Sequence, residues 1–70
     1  MKTTRREKLI KARLDKGLTR PQLATQIGVS FEHIKSLEYG RVNPSTVILF
    51  RLCNALNQSP EELFNDIALP

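Results

Sequence analysis

Cysteine is nearly absent from this sequence. Cys53 stands alone among 70 residues, so no internal disulfide can form and a reducing compartment suits the chain. His33 is likewise single, and with Cys53 it makes no ligand cluster; no metal and no other cofactor is expected. There is no Ser/His/Asp or Cys/His constellation and no carboxylate pair in a plausible pocket. With three glycines there is also no phosphate-cradling glycine loop, so an enzyme is not expected and no catalytic residue is assigned. Apolar runs are short, and none approaches the ~20 residues that span a bilayer. The basic start, residues 1–8, lacks the apolar core of a signal peptide. A cytoplasmic location without a membrane partner follows as the expectation. Acid is the scarcer charge, 7 Asp and Glu against 11 Lys and Arg, a net +4 that points weakly to an anionic partner. No internal repeat and no strand-like alternation are found, while 40% hydrophobic residues argue against disorder.

What is present is helical punctuation. A chain of this size buries only about 60% of its unfolded surface, so residues 1–70 are expected to make one small domain around one core. Residues 1–4 are expected to be a loose terminus. A first helix is expected over 5–16, with Leu9, Ala12 and Arg13 on one side, Ile10 and Leu14 flanking, and a stop at Gly17. Arg5, Arg6, Lys8 and Lys11 read as its solvated face, the alternative being that one or two of them approach phosphate. Thr19 followed by Gln22 is a capping-box pattern, and Pro21 fits a first turn, so a second helix runs over 20–27. Ser30 caps a third over 31–39, ending at Gly40. Ser45 caps a fourth over 46–56, carrying Leu49, Phe50, Leu52, Cys53 and Leu56 inward. Ser59-Pro60-Glu61-Glu62 opens a fifth that should run to Asn65. Cys53 on the inward face reads as an inert core residue. The tail, 66–70, keeps Ile67 and Leu69. The fold class is therefore all-α, five short helices around one core.

The stretch 20–37, RPQLATQIGVSFEHIKSL, organises the rest. Leu23, Ala24 and Ile27 share one helical face, Gly28 allows a positive-φ stop, and Ile34 and Leu37 face inward on the next helix. A small residue at 24, Gly four positions on and Ile six beyond that have the form of a helix-turn-helix.

Five pieces in order carry a resemblance over roughly residues 6–64: L-T-R-P-Q-L-A at 18–24, G-V-S at 28–30, I-K-S-L-E-Y-G at 34–40, N-P-S at 43–45, and L-x-x-A-L-N-Q-S-P-E-E-L-F at 52–64. The chain resembles the lambda-repressor-like, Cro- or XRE-type, family of DNA-binding domains. The resemblance implies the compact five-helix lambda-repressor-like fold, with the helix-turn-helix at the second and third helices. One departure is Arg20, where the family commonly has Gln.

The third helix leaves Phe31, Glu32, Lys35 and Ser36 outward once Ile34 and Leu37 turn in. On the family's motif Ser30, Phe31, Glu32 and Ser36 fall where bases are usually met, and Lys35 where a base or a phosphate is reached. Glu32 can accept from a cytosine amino group, Phe31 can touch thymine methyls, and Lys35 can donate to guanine. The plainer readings are that Phe31 packs against the second helix and that Glu32 favours its own helix start. His33 lies between the two arcs, a packing residue in preference to a base reader. Phosphate contacts are expected from Thr19 and Arg20 at the second helix start, and from Arg41, Asn43 and Ser45 after the third. Arg20 brings a forked, fully charged donor set in place of glutamine, or else pairs with a nearby acid. Arg13 and Glu38 match the family's structural ion pair.

One short recognition helix reads only a few base pairs, so a dimer on a two-fold site is implied. Val47 and Ile48, adjacent and apolar near Pro60, read as a small self-complementary patch for a weak homodimer. The expected function is a sequence-specific, double-stranded DNA-binding regulator, bacterial or phage-encoded and acting as a repressor. The alternative is a protein-interaction module on the same scaffold, an antitoxin or anti-regulator with a protein partner.

Overall fold

The computed structural model describes residues 5–67, and within them five helices and no strand: α1 (Glu7–Asp15), α2 (Arg20–Ile27), α3 (Phe31–Glu38), α4 (Thr46–Leu56) and α5 (Pro60–Leu63). Side-chain caps set most of the starts. Thr19 Oγ1 accepts from the Gln22 amide at 3.2 Å while Gln22 Oε1 accepts from the Thr19 amide at 2.9 Å. Ser59 and Glu62 make the same reciprocal pair ahead of α5, and those hydrogen bonds hold the Glu62 carboxyl below its usual range. Ser30 and Ser45 accept from the His33 and Ile48 amides, capping α3 and α4. The turn between α2 and α3 is closed at Gly28, whose φ of 77° is open to glycine at little steric cost. It lets the amides of both Gly28 and Val29 return to the Ala24 carbonyl, each at 2.9 Å.

The core draws on every helix. Leu9 and Ala12 come from α1; Leu23, Ala24 and Ile27 from α2; Ile34 and Leu37 from α3; Leu52 and Leu56 from α4; Leu63 and Phe64 from α5 and its end. Leu18, Val29, Ile48, Leu49, Cys53, Ala55 and Ile67 pack half-buried around them. Burial, with a smaller push from Glu61, raises the Cys53 thiol above its ordinary value, which suits an unreactive packing residue. Leu69 and the terminal stretch 1–4 lie outside the described residues.

Several expectations are corrected. α1 begins at Glu7, and α5 stops at Leu63 because Phe64 leaves helical geometry (φ −125°, ψ 50°) and turns its ring into the core. Leu14 is 59% exposed. Phe50 does not face inward; it is 57% exposed. The core-facing residues of α4 are Leu49, Leu52 and Leu56, spaced three and four apart. At about 100° per residue, Phe50 is rotated off that face toward solvent. The pairing of Val47 with Ile48 as exposed neighbours fails for the same reason. Val47 is 57% exposed, but Ile48 packs against the core.

The largest correction is Arg6. Read as part of a solvated face, it is 4% exposed. Its Nη1 donates to the carbonyls of Leu37 (2.7 Å) and Val42 (2.8 Å), its Nη2 to Asn43 Oδ1 (2.8 Å), and its Nε to the Asp66 carboxylate (3.1 Å). The guanidinium also lies 5.0 Å from the Phe64 ring centroid. One side chain thus ties the end of α3, the loop after it and the segment after α5 to the start of α1. Arg13 is the second buried arginine. Its Nε donates to Glu38 Oε2 at 2.6 Å and its Nη1 to the Leu18 carbonyl at 2.8 Å. Glu38 is fully buried, and its other oxygen accepts from Arg20 Nε at 2.7 Å. A single carboxylate therefore joins α1, α2 and α3. Among the described residues no buried side-chain nitrogen or oxygen lacks a partner.

Candidate nucleic-acid interface

α3 turns Ile34 (1% exposed) and Leu37 (0%) into the core, which fixes what it turns out. Ser30, Phe31 and Glu32 at its first turn are exposed; Phe31 retains 38% of its surface. Lys35 and Ser36 are half-buried on the following turn, and so is His33. The Ser30 hydroxyl accepts from the His33 amide, so its role as a cap is settled locally and it can meet a base only with its remaining hydrogen-bonding capacity. Glu32 sits where a helix N-terminus favours a carboxylate.

The phosphate candidates divide into two kinds. Thr19 and Ser45 use their hydroxyls as caps, on α2 and α4, while standing exposed at helix starts where backbone amides attract anions. Arg20, Arg41 and Asn43 carry side chains toward the same region. Arg20 is not a free donor: its Nε is committed to Glu38, and that hydrogen bond holds its pKa above the ordinary guanidinium value. Asn43 is exposed, yet its Oδ1 is taken by Arg6, which leaves the amide NH₂ as what it can offer outward. Arg41 is exposed, and its backbone is set by a hydrogen bond that its amide donates to the Ser36 carbonyl at 2.9 Å, closing α3 past Gly40. Among the described residues neither Lys35 nor Arg41 has a carboxylate within ion-pair distance.

The structure brings Arg20, Lys35 and Arg41 together around one ring that the sequence reading passed over. The Tyr39 centroid lies 5.4 Å from the Arg20 guanidinium, 5.6 Å from that of Arg41 and 6.0 Å from Lys35 Nζ. Arg5 joins them at 5.6 Å. Phe31 and Glu32 stand apart, one and two residues past the α3 cap. Val47 and Phe50 lie on the exposed side of α4, while Pro60 is half-buried at the start of α5. Tyr39 was legible as part of the family-matching piece I-K-S-L-E-Y-G, but it was given no role there. Phe50 was hidden by the unbroken run VILF, which has no period to read.

No group of three or more His, Cys, Asp or Glu side chains among the described residues could hold a metal ion, and no helix among them is long and apolar enough to cross a membrane.

Comparison with known proteins follows the same geometry. The family described as Helix-turn-helix matches residues 9–63. An uncharacterised HTH-type transcriptional regulator, y4dJ, of Sinorhizobium fredii is 41% identical over 51 residues, covering 73% of this chain and 66% of that protein. Another from Methanothermobacter thermautotrophicus is 38% identical over 53 residues, covering 74% and 77%. The chain thus spans about two thirds to three quarters of these relatives' length. Among solved structures, the restriction-modification controller protein C.AhdI from Aeromonas hydrophila superposes with a TM-score of 0.74 at 34% identity, over 83% of this chain and 88% of its own. The clp gene regulator ClgR from Corynebacterium glutamicum gives 0.73 at 34% identity, over 84% and 63%. These relatives are named as regulators, not as enzymes. An all-α bundle with its helix-turn-helix at α2 and α3, matched along most of its length, belongs to the lambda-repressor-like, Cro/XRE-type helix-turn-helix family.

Proposed function

We propose that this chain binds double-stranded DNA by sequence, as a dimeric, cytoplasmic transcriptional regulator that represses, with α3 in the major groove. The observation that carries this reading is the pairing of two surfaces on α3. Its first turn leaves Ser30, Phe31 and Glu32 exposed, and its far end gathers Arg20, Lys35 and Arg41 around Tyr39. A base-reading end beside a cationic end is what a helix needs to be held by phosphate while it meets base edges. The regulators among the relatives support the same reading. In it Ser30, Phe31, Glu32 and Ser36 meet bases, Lys35 reaches a base or a phosphate, and Thr19, Arg20, Arg41, Asn43 and Ser45 meet phosphate.

Selection of bound duplexes from a random pool, across a salt series, tests it. The expected result is an enriched two-fold motif with half-sites about 10 base pairs apart and an affinity that falls steeply with salt. Glu32→Ala is expected to relax preference at one position by about 1–3 kcal/mol while leaving non-specific affinity unchanged or raised. A pool that returns no motif would overturn sequence-specific reading.

The dimer rests on α4. Val47 and Phe50, three positions apart, are each 57% exposed and form the apolar strip that Val47 and Ile48 were expected to make. A second copy is the occupant because a two-fold site requires one. Phe50→Asp is expected to weaken self-association by about thirtyfold, as loss of a central aromatic anchor does, and sedimentation equilibrium reads it. An unchanged association constant would move the interface elsewhere. The same exposed apolar residues, with Phe31 and Val42, favour the second reading, a protein-interaction module; binding of a protein partner that salt does not weaken would establish it.

A further inference from the structure

Tyr39 closes α3, half-buried, and four cations surround its ring at 5.4–6.0 Å. They come from four places in the chain: the segment before α1, the first residue of α2, the body of α3 and the loop after it. Attraction to the ring holds each one, weakly at an exposed site, but four like charges so placed also repel. The carboxylates at hand do not balance them. Glu38 is shared between Arg20 and the buried Arg13, and Glu7 approaches Arg5 only to 3.9 Å with both side chains more than half exposed. Counting the cations Arg5, Arg13, Arg20, Lys35 and Arg41 against the carboxylates Glu7 and Glu38 leaves five minus two, a surplus of three positive charges. Arg20 is anchored at its Nε, so one of the donors stands in place before any ligand arrives, and the Arg41 backbone is set by its amide hydrogen bond to the Ser36 carbonyl. A fixed aromatic with a hydroxyl, ringed by unbalanced guanidinium and ammonium groups, has the chemistry of a receptor for a phosphate oxygen.

We propose that Tyr39 with Arg5, Arg20, Lys35 and Arg41 forms the seat for one phosphodiester of the DNA backbone, the phenol O–H donating to a non-bridging oxygen. This rests on the duplex-binding reading and adds to it Tyr39, which the sequence did not place at the interface, and Arg5, which the sequence read as solvated with phosphate contact as the alternative. The ring acts by holding the cations, and the hydroxyl acts on the ligand; two substitutions separate these roles. Tyr39→Phe keeps the ring and loses the hydroxyl. Its affinity is expected to fall about tenfold, the worth of one hydrogen bond to a charged group. A phosphate contact carries no sequence information, so the fall is equal for the selected site and for an unrelated duplex. Tyr39→Leu also loses the ring, and its plot of log affinity against log salt is expected to become shallower by about one unit per protomer.

Both variants are measured beside the native chain on both duplexes, at a temperature where thermal unfolding shows each to be folded. Should Tyr39→Leu fail to fold, Tyr39→Phe alone decides. Native affinity in Tyr39→Phe would overturn the proposal, and so would a loss confined to the selected site, which would make Tyr39 a base reader. Binding of inorganic phosphate to the native chain but not to Tyr39→Leu, with native DNA affinity in both variants, would assign the seat to free phosphate and overturn its assignment to DNA. If no selected motif exists, the unrelated duplex still reports on Tyr39, so failure of base reading and failure of this seat are told apart.

Discussion

Glu38→Ala is expected to destabilise the fold by about 3–5 kcal/mol, because it leaves a buried guanidinium without its charge partner. Arg13 is 6% exposed and Glu38 fully buried, so neither water nor a neighbouring acid can take the lost carboxylate's place. In a domain of this length each kcal/mol corresponds to roughly 4–8 °C in Tm. A fall of at least about 12 °C is expected, read by circular dichroism on heating. The double variant Arg13→Met with Glu38→Leu is expected to be more stable than Glu38→Ala, since removing both charges relieves the desolvation that removing one exposes. Base preference in the selection experiment should be unchanged, as Glu38 reaches no surface. A variant with native Tm and altered base preference would overturn the structural assignment of the pair.

Arg6→Met carries the second large effect, and it reaches function as well as stability. The substitution leaves the Val42 carbonyl, Asn43 Oδ1 and the Asp66 carboxylate without the Arg6 donor, and the Leu37 carbonyl with the Gly40 amide alone, at 3.2 Å. A buried acceptor left unpaired costs about 1–3 kcal/mol. The Leu37 carbonyl keeps the Gly40 amide and the other three acceptors are partly open to water, so each loss lies at the low end of that range, about 3 kcal/mol together. Methionine can still lie over Phe64, so packing of the stem contributes little to the difference. Lysine is not expected to rescue the site, because a single ammonium cannot replace a planar fork that reaches four partners. The loop that follows α3 is then held at one end only, and DNA affinity is expected to fall even well below the new Tm. Equal affinity for a folded Arg6→Met would show that the loop keeps its shape without this anchor.

These two arginines also mark where sequence reading succeeds and where it stops. Helix starts were legible because their causes lie within three residues: Thr19 with Gln22, Ser45 with the Ile48 amide, Ser59 with Glu62. Gly28 declared the turn for the same reason. Arg6 was not legible as buried, since its partners lie 31 to 60 residues away. Its own neighbourhood, Arg5-Arg6-Glu7-Lys8, looks like any solvated helix start. One signal was available: Arg6 stands seven residues before Arg13, on the stripe that also holds Leu9 and Ile10, all four of them buried. The outward set on α3 followed from Ile34 and Leu37 alone. Arg20 could be placed at the interface but not assigned its hydrogen bond, because Glu38 is 18 residues on and two arginines compete for it.

The carboxylate of Glu38 has one further consequence. By joining three helices beneath the recognition surface, it sets the pitch of α3 from the buried side of the helix. Ser30, Phe31 and Glu32 lie exposed at the opposite end of that helix, where exchange of a side chain disturbs little packing. Specificity and architecture are therefore written in separate letters of the same eight-residue word. A scaffold so divided can be re-addressed to a new operator by altering its outer letters, while the spelling that makes it fold stays as it is.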